Sequence, residues 1–136
     1  MSKIAVIYWS GTGNTQQMAE AIANQAHADL FTASEFSPEK AANYDAFAFG
    51  CSAMGAEQLE EDEFEPMFTG CESALSGKKL ALFGSYGWGD GEWMRTWEED
   101  CASAGIRLAA DSVTCCEAPD DEALSACQAL GKKLAE

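Results

Sequence analysis

Short continuous apolar runs alternate with stretches of helical periodicity along the whole of this chain, and few folds accept that order. Ile4-Ala5-Val6-Ile7-Tyr8-Trp9 is apolar at every position, as a strand buried on both faces of a parallel sheet must be. Met18, Ala19, Ile22 and Ala26 then mark one helix face, Leu30 to Thr32 is a weak second strand, and Ser37 to Asn43 is at most a short helix opening with Ser37-Pro38. Ala46 to Cys51 reads as the third strand. Phe64, Met67, Phe68, Cys71 and Leu75 recur at helical spacing until Ser76-Gly77 stops them. Lys79 to Phe83 is the fourth strand, Trp93, Met94, Trp97 and Cys101 the next helix face, and Leu108 to Cys116 a fifth, less regular strand. The last helix begins near Pro119-Asp120-Asp121-Glu122, uses Leu124, Cys127, Leu130 and Leu134, and ends with Lys132 and Lys133, a polarity that suits the helix dipole.

Five β-α units without repeat or linker predict an α/β fold. It is a doubly wound five-stranded parallel sheet with helices on both faces, in three layers, as one domain over residues 1–136. Such sheets bind ligands beyond the carboxyl ends of their strands. The loops after strands one, three and four are therefore the ones to read for function.

Charge narrows the partners. Eight Lys and Arg face 23 Asp and Glu, a formal net charge of −15, which repels nucleic acid and anionic membranes and favours proteins with basic faces. Six of the acids fall between Glu57 and Glu65, at a helix start that also adjoins the candidate site. No segment reaches the roughly 18 apolar residues of a membrane span. The apolar run Ile4 to Trp9 is too short for a secretory signal, so a cytoplasmic protein is expected. The six cysteines contain no C-x-x-C pair and the sole histidine is His27, which argues for reduced thiols and against a metal site. A redox role stays open only at the adjacent Cys115-Cys116.

Ser10-Gly11-Thr12-Gly13-Asn14-Thr15 joins the first strand to a helix. Its glycines permit a sharp turn, and its hydroxyls and the helix N-terminus form a nest for an anion. It lacks the Gly-Lys-Ser/Thr ending of a P-loop, and Gln16 stands where a dinucleotide fingerprint needs its third glycine. With no Lys or Arg in it, the loop suits a terminal phosphomonoester held by neutral dipoles.

Tyr8-Trp9-Ser10-Gly11-Thr12-Gly13-Asn14-Thr15 closely resembles the phosphate loop of short-chain, clostridial-type flavodoxins. The resemblance continues in Gly50-Cys51-Ser52-Ala53-Met54-Gly55, in Glu63-Phe64-Glu65-Pro66 and in Phe83-Gly84-Ser85-Tyr86-Gly87-Trp88-Gly89-Asp90-Gly91. It covers nearly the whole chain and is weakest from His27 to Asp45. It implies the flavodoxin-like version of the fold, one non-covalently bound FMN, and low-potential one-electron transfer between the semiquinone and hydroquinone, with no substrate turnover. It also implies a monomer whose partners are flavodoxin- or ferredoxin-type reductases and low-potential acceptors.

The resemblance also assigns the remaining loops. Ser52, Ala53, Met54, Gly55 and Glu57 would lie along one side of the flavin, with Met54 on the ring. The Gly55 carbonyl would turn toward N5–H on reduction, and Glu57 would accept from N3–H. Ala56 stands where the clostridial pattern has an aspartate, and alanine accepts a positive φ less readily. Ser85, Tyr86, Gly87, Trp88 and Gly89 supply the other wall. Trp88, flanked by glycines, stacks on the ring, Gly87 and Gly89 open their amides to the N1 and O2 edge, and Ser85 reaches the phosphate side. Tyr86 and Trp9, at strand ends, could serve site or core, whereas Trp93 and Trp97 stand at i, i+4 as core residues.

An FMN-dependent reductase of quinones or similar acceptors would share this fold but needs a substrate space above the ring, which a Met54–Trp88 sandwich leaves small. A phosphate-accepting signalling domain needs acids at strand ends, where this chain has Trp9-Ser10 and Gly50-Cys51.

Overall fold

β1 (Ile4–Trp9) and β3 (Ala46–Cys51) are the apolar runs, and they pair in parallel from Ile4↔Ala46 to Trp9↔Cys51. The computed structural model describes residues 3–11, 13–53, 60–75, 77–87 and 91–135. β2 (Asp29–Thr32), β4 (Lys79–Tyr86) and β5 (Val113–Cys116) complete a parallel sheet of order β2-β1-β3-β4-β5. The order reverses between β1 and β3, so the chain leaves these two strands toward opposite flanks and opens a crevice at their carboxyl ends.

Alternation along β3 sorts the core. Phe47 and Phe49 point to one face, where Phe64, Phe68, Trp93 and Trp97 join them. Ala46 and Ala48 point to the other, beneath Met18, Ile22, Cys127 and Leu130. The first face carries α3 (Phe64–Cys71) and α4 (Glu92–Ser103); the second carries α1 (Asn14–Ala26) and α5 (Asp121–Ala135). The two helices of the second face come close because Gly131 has no side chain: a Cβ there would lie 2.7 Å from the Ile22 carbonyl oxygen. α2 (Pro38–Ala41) is a single turn with proline at its start.

Three elements differ from expectation. β4 runs three residues past Phe83, because Gly84 lets it lie against Cys51, whose carbonyl oxygen would sit 2.3 Å from a Cβ. β5 is confined to Val113–Cys116, while Leu108 makes only an isolated bridge to Leu80. Between them the chain is drawn aside as the Ser112 hydroxyl donates to Glu98 at 2.7 Å. On α5 the buried positions include Ala123 and Gly131, and Leu124 is only half-buried. The stripe on α3 extends as expected to buried Leu75, through a 3₁₀ turn at Glu72–Ala74.

All six cysteines are free thiols. Burial pushes Cys51, Cys101 and Cys127 up to about 12 and Cys71 to about 11, so these four are neutral packing groups. Among the described residues no helix is long and apolar enough to cross a membrane.

Candidate functional site

The carboxyl ends of β1, β3 and β4 are sewn together by hydroxyls. Gly13 takes the left-handed conformation (φ 93°) at the start of α1, a turn that favours glycine. Its amide donates to Ser10 Oγ at 2.9 Å, which closes the loop on itself. Fully buried Thr15 lies at the junction: its Oγ1 shares a hydrogen bond with Ser52 Oγ at 2.8 Å and accepts from the Ser85 amide at 3.3 Å. The Ser52 amide donates to the Trp9 carbonyl at 3.3 Å, and that of Ala53 to the Ser85 carbonyl at 3.0 Å. Three segments distant in sequence thus converge where the strand order reverses.

The start of α1 is open. Its N-cap residue, Gly13, offers no side-chain cap, and its first turn contains no acid. Each of the other α-helices carries an acid in its first turn: Glu39, Glu65, Glu92, and Asp121 with Glu122. No Lys or Arg occurs between Lys3 and Lys40. The first turn of α1 therefore brings no carboxylate of its own to the positive end of the dipole, and its amides can serve an anion. A terminal phosphate fits this donor set. Asn14, half-buried at the first helical position, and Gly11, which lies against the Trp9 ring, flank the opening.

The other expected residues fall as follows. Ser85 is buried, and its hydroxyl donates to the Glu117 carbonyl at 2.6 Å, tying β4 to the chain leaving β5. Tyr86 ends β4 half-buried, with its ring 5.5 Å from that of Trp93, and Gly87 is exposed. Thr12, Met54, Gly55, Glu57, Trp88 and Gly89 lie outside the described residues. Trp9 is half-buried and its Nε1 donates to Glu63 Oε1 at 3.2 Å, which links the end of β1 to the acidic segment. Trp93 and Trp97 are core residues, each 1% exposed.

Two participants were not legible beforehand. Glu60, 8% exposed, accepts from the amides of Glu63 (2.7 Å), Phe64 (2.8 Å) and Asp62 (2.8 Å). Desolvation pushes its carboxyl up, yet those three donors outweigh it and hold the group below the usual carboxylate range. Six acids in one run indicated a helix start but not which of them caps it. Glu117, at φ 59°, returns its amide to the Tyr86 carbonyl at 2.7 Å, and no signal in the sequence marks that turn.

A doubly wound sheet of order 2-1-3-4-5, with a helix start free of first-turn acids at its switch point, defines a mononucleotide-binding α/β protein. The family model described as flavodoxin matches residues 6–131. The flavodoxin of Clostridium beijerinckii is 46% identical, over 96% of this chain and 97% of that one. The flavodoxin of Megasphaera elsdenii is 39% identical, over 98% of each. The solution structure of two-electron reduced Megasphaera elsdenii flavodoxin superposes with a TM-score of 0.88 at 36% identity, covering 97% of this chain and 98% of that one. The chain belongs to the flavodoxin family. It is an FMN-containing electron carrier, an electron-transfer protein rather than an enzyme, and works with redox protein partners.

Proposed function

We propose that this chain carries single electrons at low potential on one non-covalently held FMN, as a monomeric single-domain protein of the cytoplasm. The observation that best supports this is the opening of α1, alone among the α-helices of the described residues in having no acid in its first turn, in a chain of net charge −15. In this reading Ser10, Gly11, Thr12, Gly13, Asn14 and Thr15 hold the phosphate together with Ser52. Ala53, Met54, Gly55 and Glu57 lie along one side of the ring, and Ser85, Tyr86, Gly87, Trp88 and Gly89 along the other. FMN supplies reversible uptake of one electron at a time; the chain binds it, orients it and sets the charge around it.

That charge is negative. Glu60, Glu61, Asp62, Glu63 and Glu65 gather at the start of α3. One carboxylate about 10 Å from an added electron opposes it by roughly 0.4–1.7 kcal/mol for effective dielectrics of about 80 to 20. The same acids favour partners with basic docking faces, both reductases and low-potential acceptors. Fluorescence titration of apo-protein tests the reading. FMN is expected to bind at least about a hundredfold more tightly than riboflavin, on the order of 3 kcal/mol for the phosphate alone; equal affinities would overturn it.

A further inference from the structure

The end of β3 carries more connections than strand pairing requires. The Cys51 carbonyl accepts from Trp93 Nε1 at 3.2 Å, which ties it to α4. Its buried thiol donates to the Ser52 carbonyl at 3.3 Å and accepts the Glu60 amide at 3.4 Å. A neutral thiol can do both at once, and burial keeps this one neutral, its pKa pushed up to about 12. Glu60 in turn gathers the amides of Asp62, Glu63 and Phe64 on its carboxylate. On the near side, Ser52 is held by Thr15 and Ala53 by Ser85. Ala53 and Glu60, the residues that bound the 54–59 segment, are therefore both fastened to the same strand ends.

We infer that Cys51 and Glu60 form a clamp that fixes the two ends of the 54–59 segment, and that Glu60 is a positioning residue for electron transfer. The inference rests on the proposed reading that Met54, Gly55 and Glu57 face the flavin. Fixing the ends of a short segment removes conformations that cofactor binding would otherwise have to exclude. Glu60 acts through backbone amides and touches no cofactor atom in this account.

The test compares Glu60→Gln, Cys51→Ala and Asp62→Asn in holo-protein. Glu60→Gln sets an amide NH₂ against the bonds that now converge on the carboxylate. It is expected to weaken FMN about tenfold and to change the separation of the two one-electron potentials by about 30–60 mV, three- to tenfold at about 59 mV per decade. Cys51→Ala removes a weaker acceptor and should act in the same sense by at least about twofold. Asp62→Asn removes the same formal charge two residues away and leaves the clamp intact; it should leave FMN affinity unchanged and move the potentials by the smaller amount that charge alone gives. A Glu60→Gln protein that melts earlier but keeps wild-type FMN affinity and potentials reduces Glu60 to a helix cap and overturns the inference. An Asp62→Asn protein that shifts as much as Glu60→Gln overturns it in favour of charge alone. Should Glu60→Gln not fold, Cys51→Ala decides, unchanged affinity and potentials counting against the clamp. A wild-type chain without FMN affinity would overturn the underlying reading, before any substitution is made.

Discussion

Two helices begin at the same edge of the sheet and solve their N-terminal problem in opposite ways. Every helix start leaves amides unpaired and a positive dipole end exposed. At α3 the chain supplies its own anion: the Glu60 carboxylate accepts from Phe64, the first helical amide, and from Asp62 and Glu63 just before it. At α1, in the same strongly acidic protein, the first turn holds no acid, and the hydroxyls of Ser10, Thr15 and Ser52 lie around the opening. In the proposed reading the filled start serves architecture, and the open one is the place for an anion from outside the chain. Negative charge is abundant in this molecule, so its absence at α1 is the informative observation.

The contrast breaks most forcefully if α1 is given what the other helices have. Asn14→Asp puts a carboxylate in the first turn, where two charges on the order of 5 Å apart would face each other if the phosphate binds as proposed. At an effective dielectric near 20 that opposes binding by roughly 3 kcal/mol, on the order of a hundredfold in FMN affinity. The same substitution should stabilise the apo-protein by about 0.3–1 kcal/mol, as an acid at a helix start does. Fluorescence titration and urea unfolding read the two effects. Unchanged FMN affinity would show that the phosphate lies away from α1.

Emptying the filled start is the converse. Glu60→Gln should destabilise the protein by about 1–3 kcal/mol at neutral pH, measured by urea unfolding. Because folding lowers the Glu60 pKa, its contribution is present above the unfolded carboxylate pKa and is lost as pH falls through the lowered folded value. The difference between wild type and variant should therefore shrink on acidification. A difference that is constant down to strongly acid pH would mean that the carboxylate charge has no part in the cap.

The smallest effect concerns a donor that is unfilled and yet awaits no ligand. Trp97 Nε1 is buried without a hydrogen-bond partner among the described residues, its ring edge-to-face with those of Phe64 and Phe68. Relief of an unsatisfied donor, about 1–3 kcal/mol, offsets the volume lost in Trp97→Phe. Thermal or urea unfolding should place that variant within about 1 kcal/mol of wild type. A loss above about 3 kcal/mol would show that the ring faces satisfy this N–H.

The strands and helix faces could be read from the sequence because both follow from periodicity, a local property. β1, β3 and the α3 stripe needed no partner to be recognised. The end of β4 and the shortness of β5 depend on the fit of Gly84 against Cys51 and the pull of Glu98 on Ser112, contacts between residues far apart in the chain. The loop proposed for the phosphate could be picked out because Ser10 to Thr15 carry their glycines and hydroxyls in adjacent residues. The Thr15–Ser52–Ser85 junction and the Glu60 cap were not, since each appears only when separate segments meet.

Amide hydrogen exchange, followed residue by residue in apo-protein, with FMN and with riboflavin, tests the contrast between the two helix starts most directly. The amides of Glu63 and Phe64 should be protected already in the apo-protein, because Glu60 occupies them. Those of Asn14, Thr15 and Gln16 should exchange freely there, become protected with FMN, and remain unprotected with riboflavin, which lacks the phosphate. Protection of the α1 amides in the apo-protein, or equal protection by both flavins, would contradict the account.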